Sequence, residues 1–207
     1  MLNKINYYIS KLIKKIHIPA IKDSEIHNTS KVASGSHVVM TSIDKYSYIG
    51  NNCTVVSTTI GSFCSIADNV IIGGASHPVN WVSTSPVFHQ GKNILRKHFS
   101  NHPFITTNKT IIKNDVWIGA NCLIKSGVSI ENGAVLGMGS VVTKNVGAYV
   151  IWAGNPAKII RKRFDDETIK ILLESKWWNR SDMLLKELAL EMNNVENFIY
   201  LLNKSGE

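Results

Sequence analysis

The 207-residue sequence predicts a mainly β chain wound as a parallel β-helix. Three observations predict it. From Ile112 an aliphatic residue recurs every six positions, at Ile118, Ile124, Ile130, Leu136 and Val142. An upstream series runs Ile26, Val32, Val38, Ile43, Ile49, Val55, Ile60, Ile66 and Ile72, with slips of one residue. The position four further on is small or β-branched: Val116, Cys122, Val128, Ala134, Ser140 and Val146 in the second block, and Ser30, Ser36, Ser47, Cys53, Thr59, Cys64 and Val70 in the first. A six-residue period fits neither an amphipathic helix nor a simple exposed strand. It fits three short strands per coil, each pointing its aliphatic into a triangular core with no room for a second bulky side chain. Glycine follows the aliphatic at Gly50, Gly61, Gly73, Gly119 and Gly137, where corners need unusual backbone angles. Each coil covers its neighbour's strand edges, so several must stack for stability.

The elements follow in order. Residues 1–22 are expected to form an amphipathic helix, packed on the coil as first reading and touching a membrane surface as second. The solenoid is expected over 23–160. Its repeat breaks over about 76–110, where three of the five prolines (Pro78, Pro86, Pro103) and four histidines collect. A long non-repeat inside a solenoid is usually functional. "GNPAKIIRKRF" reads as a turn leading out of the solenoid. Residues 161–207 then show helical periodicity, with Ile169, Leu172 and Leu173, later Leu184, Leu185 and Leu188. Asp165 or Asp166 is placed to cap the first helix. Trp177 and Trp178 most simply pack this tail back on the coil.

Composition narrows the classes. Hydrophobic residues make up 44% and charged residues 18%, normal for a globular chain. No apolar run approaches the roughly 18 residues of a membrane span. The N-terminus lacks a clean apolar region before small cleavage-site residues, so no signal peptide is expected. Three cysteines, Cys53, Cys64 and Cys122, are too few for a disulfide framework. They read as small buried hydrophobes, and the expected compartment is the reducing cytoplasm. A net charge of +8 suits nucleic acid, an anionic membrane surface or a phosphorylated ligand. The basic residues gather at Lys4, Lys11, Lys14, Lys15 and Lys22, and at Lys158, Arg161, Lys162 and Arg163. No nucleic-acid motif accompanies them, so nucleic acid is not expected as a partner.

The hexads, the "ASHP" opening the inserted loop, "DVWIGANCLIKSGVSI" and "VVTKNVGAYVIWAGNPAKIIRKRF" together resemble one family. It is the left-handed β-helix acyltransferases of the xenobiotic-acetyltransferase type, which includes bacterial O-acetyltransferases of surface polysaccharide clusters. The resemblance covers roughly residues 25–180. It implies the handedness, a homotrimer, and acetyl-CoA bound in the cleft between neighbouring coils, with no metal. It makes His77 the catalytic histidine. It puts Trp117 beside the cofactor channel and the backbone around Ala120 and Met138 on the pantetheine amides. Met138 departs from the small residue common there. Thr143, Lys144, Lys158 and Arg161 match positions that reach the nucleotide phosphates, and lysine and arginine suit phosphate physically.

The chemistry stands beside the resemblance. Acetyl transfer to a hydroxyl needs a base that is neutral near pH 7, and an imidazole serves. His77 sits where the coil stops, beside Pro78, which stiffens the backbone. For the acceptor, the loop offers Asn80, Trp81, Ser83, Thr84, Ser85 and His89, a set suited to a sugar with one face on tryptophan. The expected acceptor is therefore a sugar hydroxyl, with an antibiotic or a sugar amine as the alternative. A zinc enzyme similar to γ-class carbonic anhydrases, using His77, His98 and His102, and a non-catalytic hexapeptide scaffold stay open as other classes.

Overall fold

A computed structural model describes residues 2–204, with side chains described except at 2–4, 14–16, 203 and 204. The side chains of Lys4, Lys14 and Lys15, part of the N-terminal basic cluster, therefore lie outside the described ones. Helix α1 (Leu2–Ile16) precedes the solenoid. The first coil carries β1 (Ala20–Lys22), β2 (Glu25–Ile26) and β3 (Lys31–Val32). The second carries β4 (His37–Val39), β5 (Ser42–Ile43) and β6 (Tyr48–Ile49). The third carries β7 (Thr54–Val56), β8 (Thr58–Ile60) and β9 (Ser65–Ile66). The fourth opens with β10 (Ile71–Ile72) and resumes after the insertion with β11 (Thr110–Ile112) and β12 (Trp117–Ile118). Then come β13 (Leu123–Ile124), β14 (Ser129–Ile130), β15 (Val135–Leu136), β16 (Val141–Val142) and β17 (Val150–Gly154). Strand β18 (Ala157–Lys162) folds back antiparallel on β17.

Like stacks on like, as the period requires. One face aligns Val38, Val55, Ile72, Ile124 and Val142. A second aligns Ile26, Ile43, Ile60, Ile112 and Ile130. The third aligns Val32, Ile49, Ile66, Ile118, Leu136 and Trp152. These sheets, of six, five and seven strands among the described residues, enclose one apolar core. The fold is mainly β, a parallel β-helix with an inserted loop and helices at both ends.

One count from the sequence needs correcting. Thr59 is half-exposed, and its neighbour Thr58 fills the core position. Side chains alternate along a strand, so the inward partner lies two residues before an aliphatic, not four after the last one. The two counts agree where the spacing is six and part where it slips to five, between Val55 and Ile60. Small inward residues also satisfy the neighbouring coil. Ser36 Oγ donates to the Gly50 carbonyl (2.7 Å) and Cys53 Sγ to that of Ala67 (3.1 Å), which is why serine and cysteine interchange there. All three cysteines are buried, and burial pushes the Cys64 thiol up to about 12, so none is poised as a thiolate nucleophile.

The tail leaves after β18. Asp165 caps α2 (Asp166–Ser175), accepting from the Thr168 N–H at 2.8 Å. Helices α3 (Asp182–Leu188) and α4 (Val195–Lys204) follow. Trp177 and Trp178 are buried, and Trp177 meets Phe63 of the solenoid at 5.1 Å between ring centres. Arg163 turns inward, away from the basic cluster in which the sequence groups it. It pairs with Asp115 at 3.1 Å, donates to the Gly133 carbonyl, and lies over the Tyr149 ring. Burial pushes the Tyr149 phenol up to about 12. The unfolded phenol ionises first, near the ordinary tyrosine value of 10.0. Stability from this group is therefore complete below pH 10 and falls as pH rises toward 12, by about 2–3 kcal/mol. Tyr149→Phe is expected to remove that share of the alkaline slope, read as urea midpoints at increasing pH.

Among the described residues no helix is long and apolar enough to cross a membrane. Helix α1 does not pack on the coil: its described side chains, Ile5 to Ile13, are all exposed.

Candidate active site

The insertion leaves at the corner between the first face and the second. Gly73 makes the exit with φ +81°, and a Cβ there would meet the Val56 carbonyl oxygen at 2.2 Å, so the turn admits only glycine. The loop returns to the same corner, where Ile112 resumes the column above Ile60. Its two ends are tied, Ser76 N–H donating to the Thr106 carbonyl at 2.6 Å. The loop packs on its own side chains. Trp81 stands edge-on to His102 and Phe104 (5.7 Å each), and Phe88 stacks on Phe99 (5.8 Å). Such self-packing holds a long surface loop in one shape.

His77 is exposed at the start of this loop, with Pro78 buried beside it. Its Nδ1 lies 2.8 Å from the Thr84 carbonyl oxygen. A carbonyl only accepts, so Nδ1 carries a proton, and in the neutral imidazole the lone pair is then on Nε2. The orienting group is backbone, so no side-chain type at position 84 announces it in the sequence.

An open pocket of about 670 Å³ lies in the loop. Asn80 and Trp81 line it, joined by Ser83, Phe88, Ser100 and His102. Phe88 and Ser100 escape a sequence reading because only the loop's folding brings them opposite Trp81. No Asp, Glu, Lys or Arg lines the pocket. His89 lies behind its wall, buried against Phe104 with Nδ1 2.7 Å from the Gln90 carbonyl oxygen. His77, His98 and His102 do not converge: His98 Nε2 meets Asn93, and His102 faces Trp81. Among the described residues no three His, Cys, Asp or Glu side chains form a group that could hold a metal ion.

The residues matched to the cofactor fall in two groups. Trp117 projects outward from β12 on the third face, at 55% exposure. Ala120 and Met138 follow at the corner leading to the first face, stacked on successive coils with Gly139 N–H donating to the Ala120 carbonyl at 2.8 Å. Coils approach closely here, since a Cβ on Gly119 would lie 2.6 Å from the Met138 nitrogen. The Met138 side chain itself points to solvent. Lys158 and Arg161 are exposed on β18, at the edge of the third face. Thr143 and Lys144 are exposed after β16, at the corner of the first and second faces, where the His77 loop also emerges. Within one chain, the width of the first face separates the two groups.

A three-faced parallel solenoid of hexads, with a histidine-bearing loop at one corner and a basic hairpin at its edge, defines the hexapeptide-repeat transferase class. The family model described as bacterial transferase hexapeptide (six repeats) matches residues 109–144. A probable macrolide acetyltransferase of Lysinibacillus sphaericus is 42% identical over 158 residues, 70% of this chain and 84% of that one. A chloramphenicol acetyltransferase of Agrobacterium fabrum (strain C58 / ATCC 33970) is 44% identical over 122 residues, 58% of each. The chain thus spans little more than half the length of that relative. The crystal structure of the polySia specific acetyltransferase NeuO superposes with a TM-score of 0.50 at 30% identity, covering 77% of this chain and 64% of that one. The chain belongs to the hexapeptide-repeat acetyltransferases, in their xenobiotic-acetyltransferase branch.

Proposed function

We propose that the chain transfers an acetyl group from acetyl-CoA to a hydroxyl, with His77 as general base. The observation that carries this reading is the Nδ1–Thr84 hydrogen bond, which in the neutral ring puts the lone pair on Nε2, at the start of a self-packed loop. Nε2 takes the acceptor's hydroxyl proton as that oxygen attacks the thioester carbonyl. A backbone N–H of a neighbouring coil stabilises the oxyanion. The C–S bond then breaks, and the imidazolium returns its proton to the departing thiolate.

The cofactor roles stay with Trp117, Ala120 and Met138 for the pantetheine arm, and with Thr143, Lys144, Lys158 and Arg161 for the phosphates. Their separation into two groups supports a site built between two copies of the chain, as in a homotrimer. The exposed apolar side chains of the loop, Val82, Ile94, Phe99 and Ile105, support the same assembly. Replacing both Lys158 and Arg161 by alanine is expected to raise the CoA dissociation constant about tenfold or more, since each charge-assisted bond to phosphate contributes about 1.5–3 kcal/mol before solvent screening. Calorimetry with CoA and with pantetheine separates this from a general defect, because pantetheine binding should not change.

The body of the acceptor is assigned to the pocket of Asn80 and Trp81, whose lining does not include His77, so its reacting hydroxyl must reach beyond that lining. The pocket's lining, without Asp, Glu, Lys or Arg, favours a neutral acceptor with an apolar face. A sugar hydroxyl is one reading, supported by the tryptophan edge with nearby amide and hydroxyl groups. An antibiotic hydroxyl is the second, and the names of the macrolide and chloramphenicol relatives favour it. An acetyl-CoA assay against neutral sugars, macrolides and chloramphenicol decides between them. Transfer to none of these, with no CoA binding, would return the chain to a non-catalytic scaffold.

A further inference from the structure

Helix α1 is unexplained by the transferase reading. It ends at Ile16, and the chain is pinned to the coil at His17, whose carbonyl accepts from the Gly35 N–H at 2.9 Å. Beyond that anchor its described side chains touch no core. Ile5, Ile9, Leu12 and Ile13 are 50–62% exposed. At 3.6 residues per turn these four fall within an arc of about 100°, a continuous apolar stripe. A globular chain normally buries such a stripe.

The charge pattern says what covers it. The helix sequence LNKINYYISKLIKKI holds four lysines and no acidic residue. Lys11 lies on the side opposite the stripe, by helical position, and Tyr7 and Tyr8 are exposed beside it. Copies of this helix packed together would bring only like charges near one another, with no ion pair to fix them. An apolar stripe on a helix whose only charged residues are lysines, with Lys11 opposite it and Tyr8 at its border, matches an acidic lipid surface: the stripe enters the acyl boundary, and Lys11 stays at the headgroups. We propose that α1 is a docking helix that holds the solenoid on an anionic lipid surface.

The test is flotation of the full chain with vesicles of phosphatidylcholine, with and without phosphatidylglycerol. Binding is expected only on the phosphatidylglycerol vesicles, and it should fall as salt rises to about 0.5 M. Ile9→Glu, at an exposed position, should leave the urea midpoint unchanged and lower vesicle binding at least tenfold. Lys11→Glu removes one positive charge and adds a negative one, so it should weaken binding about thirtyfold. No flotation on phosphatidylglycerol vesicles at low salt overturns the proposal. So does Ile9→Glu binding as well as the parent. If the chain ignores vesicles and Ile9→Glu lowers its molar mass in light scattering, the stripe belongs to a contact between copies. None of these readings depends on acetyl transfer, so the proposal and the transferase reading fail separately.

Discussion

His77→Ala is expected to lower acetyl transfer about a thousandfold while CoA binding stays within a factor of two. General-base catalysis by a positioned side chain contributes about 10²–10⁴ in rate. The imidazole is exposed, and its hydrogen-bond partner is the Thr84 carbonyl at the surface of the loop. Removing it costs no more than about 1 kcal/mol of stability. The urea midpoint of the variant checks that point, and single-turnover kinetics with saturating acetyl-CoA check the rate. Unchanged turnover would remove His77 from the chemistry. The Thr84 contact adds a refinement: Thr84→Pro, which restricts the backbone around that carbonyl, should lower the rate although Thr84 is not among the residues lining the pocket.

Ile118→Ala should cost about 3–4 kcal/mol of folding free energy, and Trp117→Ala under about 1. The two residues are neighbours on β12. Ile118 is fully buried, stacked between Ile66 and Leu136, and its truncation leaves a hole that the rigid columns on either side cannot close. Trp117 points to solvent on the same strand. If Trp117 flanks the cofactor channel, Trp117→Ala raises KM for acetyl-CoA while Ile118→Ala lowers the denaturant midpoint and leaves KM alone. Equal losses of stability would contradict the alternation on which the whole solenoid rests. For a chain whose total stability is about 5–15 kcal/mol, the core change is a large share of it.

Much of this is legible in the sequence because a repeat needs few rules. The hexad period fits three strands per coil, and it correctly places Ile118, Leu136 and Cys64 in the core. The break at the His77 loop is legible for the same reason, since a solenoid wall cannot hold thirty residues without period. Thr59 is misplaced by counting forward, which carries a slip of one residue into the next strand, whereas inward direction is a local property of each strand.

The sequence by itself determined the coil, the loop's limits near 76–110, the family and the helical tail. Tertiary structure alone decided four things. It turned Arg163 inward to Asp115, because a half-buried carboxylate favours a partner, and the returning tail supplies one. It chose the Thr84 carbonyl as the group that orients His77, a choice made by loop closure and not by residue type. It separated the residues matched to the cofactor by the width of the first face, since which corner a hexad reaches depends on the running sum of every insertion and slip before it. It left α1 unpacked, because an apolar stripe in a sequence names a face to be covered but not the surface that covers it.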